Sequence, residues 1–173
     1  IKPISNFLKS FRDTPPRQKR QFICLKKKVY GSFLQQTPYS LPLPQKAEYE
    51  VGFYKWLEHI CRIGEELDCH LEYHAHAETL PYIKGYMEQK HSHVRSHYNE
   101  MNRWMQFLNL RNDMGLDSML VAVTARPGFI SYQNKFEELP LLIHRYFSNT
   151  NVMLLFPGGE KDEAAWGRFG SFL

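Results

Sequence analysis

Cysteine is scarce in this sequence, and the three present, Cys24, Cys61 and Cys69, form no C-x-x-C pair. An odd count without close pairs is poor material for a disulfide framework or a structural zinc site and points to a reducing compartment. Long apolar runs are missing too. The longest, Met119 to Val123 and Val152 to Phe156, reach about a quarter of the ~20 residues that a membrane-crossing helix needs. No segment is therefore expected to span a bilayer. The chain opens at Ile1, with no basic stretch leading into an apolar one, so it reads as a fragment without a signal peptide. The motifs of common catalytic sites are absent as well: there is no G-x-S-x-G, no G-x4-G-K-[ST] and no H-E-x-x-H. An enzyme is not expected, and neither is a cofactor. Cys61 falls on an apolar helical stripe and reads as a core thiol rather than a nucleophile. No internal repeat or low-complexity segment interrupts the chain.

What is there suits one globular core: 173 residues, 43% hydrophobic and 14% aromatic. The net charge of +4 is unevenly spread, because residues 1–37 carry nine Lys/Arg against one acid, Asp13, and the remainder carries thirteen against seventeen. Residues 1–37 read as a basic linker or arm, rich in proline at its start, with the type of the run from Gln21 to Phe33 left open. Such an arm suits contact with anionic lipid at a cytoplasmic membrane surface. Nucleic acid is not expected as a partner, since only Phe22 and Tyr30 accompany the lysines as stacking platforms.

From Tyr39 the pattern becomes regular. A short apolar run from Ser40 to Leu43 leads into a stripe of Phe53, Trp56, Leu57, Ile60, Ile63, Gly64 and Leu67, which predicts a strand followed by an amphipathic helix. Glu48 and Glu50 favour the positive end of a helix dipole and place the expected start of that helix near Ala47. Cys69 to Ala75 alternates as a second strand, and Leu80, Ile83, Tyr86 and Met87 mark a second helix. Gln89 to Glu100 is polar and rich in histidine, so any strand there is expected to be short or at an edge. Trp104, Phe107, Leu108 and Leu110 predict a third helix ending before Gly115. Ser118 to Thr124 is the continuous run of a strand buried on both faces. Leu139, Leu142, Ile143, Tyr146 and Phe147 predict a fourth helix, and Val152 to Phe156 a last strand.

This alternation predicts an α/β fold: a three-layer open parallel sheet of about five strands with helices on both faces, spanning residues 38–157. Residues 158–173 form a C-terminal tail whose Trp166, Phe169 and Phe172 either cover the domain or contact another chain. Ligands of such sheets bind beyond the carboxyl ends of the strands, where the strand order reverses, which directs attention to the loop after Thr124.

The run Ala47-Glu-Tyr-Glu-Val-Gly-Phe-Tyr-Lys-Trp-Leu57, the run Val121-Ala-Val-Thr-Ala-Arg-Pro-Gly-Phe-Ile-Ser-Tyr132, then Leu139-Pro140 and Met153-Leu-Leu-Phe-Pro157 resemble the C-terminal cytosolic domain of Bacteroidetes-type cation:proton (Na+/H+) antiporters. The resemblance covers about residues 40–157. It implies a universal-stress-protein-like fold, a transmembrane antiporter domain in the same polypeptide, a homodimer, and a place on the cytoplasmic face of the inner membrane. The implied role is regulatory: transport would be modulated through domain or dimer contacts or a weak ligand. A nucleotide-binding universal stress protein is the alternative. Its glycine loop, G-x2-G-x9-G-[ST], is broken here: with Gly128 in first place, Ser131 and Leu141 stand where the other glycines belong. Arg126, Gly128 and Ser131 remain as a candidate anion site, with Arg126 supplying charge and Gly128 room.

Histidines form the last constellation. His70, His74 and His76 near the second strand, and His91 and His93 after the second helix, are read as pH sensors or as metal ligands. On a strand His70, Glu72, His74 and His76 share one face, and His with carboxylate is a zinc-type ligand set. Imidazole is also the side chain whose unperturbed pKa lies near neutrality.

Overall fold

The computed structural model describes residues 22–26, 38–115 and 118–157. The tail from 158, with Trp166, Phe169 and Phe172, and most of the basic arm lie outside the described residues.

Six strands form one sheet: β1 (Phe22–Lys26), β2 (Pro38–Pro42), β3 (His70–Ala75), β4 (Ser96–Glu100), β5 (Met119–Val123) and β6 (Asn151–Leu155). Their order is β1-β6-β5-β2-β3-β4. The five strands from β2 onward are mutually parallel, as the alternation of strand and helix predicts. Phe22–Lys26, within the segment read as an arm, pairs antiparallel with β6, so the sheet gains a sixth strand. Without β1 the backbone groups along that side of β6 would form an open sheet edge.

Helices α1 (Phe53–Glu66), α2 (Leu80–Lys90) and α3 (Leu139–Tyr146) join the strands, together with 3-10 segments at Ala47–Tyr49, Trp104–Asn112 and Asn134–Glu138. Successive strand residues point to opposite faces, and this divides the core in two. Tyr39, Leu41, Leu71, Tyr73, Val121 and Val123 pack with Trp56 and Ile60 of α1 and Ile83 of α2. Leu120, Ala122, Val152 and Leu154 pack on the other face with Trp104, Phe107, Ile143 and Phe147. Each fully buried aliphatic or aromatic side chain of this kind contributes roughly 1.5–3 kcal/mol. The sheet thus has helical cover on both sides, the expected three-layer arrangement.

Two local expectations need correction. The first long helix begins at Phe53, not near Ala47: a 3-10 turn ends at Tyr49, Glu50 turns inward, and Gly52 occupies the N-cap. Trp104–Asn112 winds as a 3-10 helix; it contains Asn109 and Asn112, which are weak α-formers. The fourth predicted helix forms where expected, from Leu139 to Tyr146, preceded by a 3-10 turn and with Pro140 in its first turn, where a missing N–H leaves no intrahelical bond unmade. The histidine-rich stretch does form a short strand, β4, which among the described strands pairs with β3 alone and stands at the sheet edge. Among the described residues no helix is long and apolar enough to cross a membrane.

Candidate functional site at the carboxyl edge of the sheet

Strand order reverses between β2 and β5: the chain steps outward from β2 through β3 to β4, then returns to β5 and moves the other way to β6. Loops leaving adjacent strands at such a reversal turn away from each other and leave a crevice. An open cleft of about 700 Å³ occupies this edge. One wall is Gln45 and Lys46, just after β2. A second is Asn102 to Gln106 with Asn109, after β4, and a third is Ile130 to Gln133, after β5.

Among the described residues two cations, Lys46 and Arg103, and several side-chain amides line the cleft, and none of the lining residues is a carboxylate. The Gln45 side-chain amide donates to the Asn102 carbonyl at 2.8 Å, tying the first wall to the second. Lys46 has a left-handed backbone with φ 65°, a conformation costing a non-glycine residue roughly 1–2 kcal/mol. Strain of this kind persists only where surrounding structure imposes it. Trp104 lies buried in the second wall against Phe107 and Phe136, with ring centroids 4.6 Å away in each case. Its indole N–H is buried and makes no hydrogen bond.

The three residues read from sequence as an anion site meet different fates. Ser131 is in the cleft wall, but its backbone N–H and its hydroxyl both donate to Glu50 Oε1, at 2.8 and 2.7 Å. Its donors are used to tie the loop after β5 to the start of α1. The Arg126 guanidinium lies 5.6 Å from the centre of the Phe156 ring, a cation–π contact. Gly128 has φ 92° with open space around its Cα, so it makes the tight turn that only glycine adopts without strain. Neither Arg126 nor Gly128 lines the cleft.

The histidines separate into two groups. His70 and His74 share a face of β3 with Glu72, as alternation requires. His70 packs against the His97 ring at 4.4 Å, and His74 Nε2 stands 3.9 Å from Glu72. Burial lowers the pKa of both, assisted at His70 by the neighbouring His97. His76, in the loop after β3, is 3.9 Å from Glu78. On the other side of the sheet, His91 is buried between two carboxylates of α1: Nε2 is 2.8 Å from Glu58 Oε2, and Nδ1 contacts Glu65 Oε1. His93 reaches the same Glu65 oxygen at 3.1 Å. Among the described residues no group of three or more His, Cys, Asp or Glu side chains is placed to hold a metal ion, so the metal reading of these histidines carries no further.

The thiols behave as core groups. Burial pushes Cys61 up to about 12 and Cys69 up to about 11, and Cys61 Sγ packs 3.1 Å from the Met87 sulfur. Neither is a nucleophile at neutral pH.

Sequence reasoning passed over Gln45, Lys46 and Arg103, because nothing local marks residues on separate loops as neighbours. It also passed over Glu58 and Glu65, although their seven-residue spacing puts them on one face of α1. No family model, no curated protein and no solved structure matches this chain.

Proposed function

We propose that this chain is a non-catalytic regulatory module, the cytosolic C-terminal domain of a cation:proton antiporter, and that it takes a small anionic ligand in the cleft at the carboxyl edge of its sheet. The observation that carries the ligand part is the cleft itself. It lies where open α/β sheets bind ligands, it offers Lys46 and Arg103 with surrounding amides, and among the described residues it sets no carboxylate against an incoming negative charge. The antiporter assignment draws on the sequence resemblance over residues 40–157. In this role ligand binding biases one of two transporter states through its differential affinity for them.

A nucleotide-binding stress protein is the rival. It draws on the aromatic ring of Tyr132 in the cleft wall, which suits a base, while the broken glycine loop speaks against a closed phosphate site.

Thermal unfolding of the purified chain separates these readings, because a ligand that binds only the folded state raises the midpoint by mass action. Organic anions and phosphates are expected to raise it, and Lys46→Ala with Arg103→Ala to abolish the rise. A rise limited to adenine nucleotides favours the rival. No rise with any anion ends the ligand reading. The antiporter part is tested separately: the polypeptide carrying this domain is expected to restore sodium tolerance to antiporter-deficient cells, and failure to do so removes that assignment.

A further inference from the structure

His91 closes the end of α2. Its backbone N–H donates to the Met87 carbonyl at 2.8 Å, and its own carbonyl accepts from Val94 at 3.0 Å, starting the turn into β4. The ring is buried and bridges Glu58 and Glu65, so that both ring nitrogens face carboxylate oxygens. A neutral imidazole carries one N–H and can donate to one of them only; the other nitrogen then presents a lone pair to a carboxylate. An imidazolium donates to both. The contact as built therefore needs an additional proton.

We propose that His91 is a proton-operated clasp that holds the end of α2 and the turn into β4 against α1 when its ring is charged, and releases them when the proton leaves. Groups of both signs face the ring, the two carboxylates in direct contact with it and the cations beyond them. From α1 come Glu58, Glu65 and Arg62, the last paired with Glu58 at 3.0 Å. From α2 come Tyr86, whose hydroxyl donates to Glu58 Oε2 at 2.6 Å, and Lys90, 5.2 Å from the centre of the Tyr86 ring. From the turn comes His93, on Glu65. The carboxyl end of α2 also favours a positive charge through its dipole. Burial opposes the charged ring, but the hydrogen bonds it donates to Glu58 and Glu65, with their negative charge, outweigh it, and the pKa of His91 is raised. A raised folded pKa means that the stabilisation is complete below the unfolded value of about 6.5 and is lost as pH rises through the folded value. The clasp lies at the amino end of β4, on the opposite edge of the sheet from the cleft, so it stands independently of any ligand there.

The test is an NMR titration of the His91 ring in the purified chain, with amide hydrogen exchange of the last turn of α2 followed over the same pH range. The ring is expected to titrate above about 6.5. The protection of the last turn, corrected for the intrinsic pH dependence of exchange, is expected to fall about tenfold for each pH unit by which the midpoint exceeds that value. Glu65→Gln removes one partner charge and is expected to lower the midpoint. His91→Gln is expected to abolish the pH dependence. Should His91→Gln fail to fold, the wild-type titration and Glu65→Gln decide the matter by themselves. A ring midpoint at or below 6.5, or protection that does not change through the midpoint, overturns the proposal.

Discussion

Glu50 accepts two hydrogen bonds through one carboxylate oxygen, from the backbone N–H and the hydroxyl of Ser131, 81 positions along the chain. Both residues are buried. The contact fixes the loop after β5 against the turn that starts α1, and so sets one wall of the cleft. Glu50→Ala strands both Ser131 donors, at a cost of about 1–3 kcal/mol each. Ser131→Ala removes one bond to a charged acceptor and leaves the N–H satisfied, so it is expected to cost less, about 1.5–3 kcal/mol. Urea unfolding of the two variants checks the order; midpoints equal to that of the parent would show that the contact contributes little.

Lys46 combines backbone strain with a charge in the cleft wall. Lys46→Gly relieves the left-handed strain of roughly 1–2 kcal/mol, against up to ~1 kcal/mol of extra unfolded-state entropy. The variant is expected to be as stable as the parent or up to about 1 kcal/mol more stable, while binding anions more weakly. Melting curves with and without anion measure both effects; a loss of stability on this substitution would show that the Lys46 side chain has a packing role.

Two helical glycines make a paired prediction. At Gly85 in α2 an added Cβ meets nothing within 4 Å, so Gly85→Ala is expected to stabilise the chain by about 0.8–1.0 kcal/mol through helix propensity. At Gly64 in α1 the same atom falls 3.1 Å from both Leu71 Cδ1 and Val94 Cγ1. There the propensity gain is opposed by overpacking of about 1–3 kcal/mol. Gly64→Ala is therefore expected to be neutral or destabilising, and calorimetric melting temperatures should move in opposite directions or differ clearly in size.

The acid limb of stability belongs in part to Glu58. The Tyr86 hydroxyl first, and then His91, hold its carboxyl down at about 2. A depressed folded pKa means that this contribution is present above the unfolded value of about 4.3 and disappears as pH falls towards 2. Tyr86→Phe removes the largest cause and is expected to raise the Glu58 pKa and shift acid unfolding to higher pH. Because Glu58 is partly exposed, the loss at neutral pH is expected to be about 1 kcal/mol or less. An unchanged acid-unfolding curve would assign the low pKa to other groups.

Much of the fold is visible along the chain because burial imposes periodicity. His70 to Ala75 alternates because β3 has a covered face and a partly open one. Met119–Val123 is unbroken in apolar residues because β5 lies inside the sheet, between β6 and β2, with helical cover on both faces. The stripe from Phe53 to Gly64 records the side of α1 that meets the sheet. His91 to Glu100 carries few apolar residues because β4 is an edge strand. These patterns determine the class of fold and the sequence of its elements.

Only the tertiary structure decided which distant groups meet. Glu50 reads as the first turn of a helix until Ser131 arrives to claim it, and that contact accompanies the later start of α1. Glu58, Glu65 and His91 are separate polar residues until α2, crossing between parallel strands in the same direction as α1, brings the ring between the two acids. The cleft exists because the strand order reverses beside β2, a choice that no local periodicity encodes. Periodicity reports whether a residue is buried; the pairing of strands and the crossing of loops decide what it is buried against, and the chemistry of the site follows from those partners.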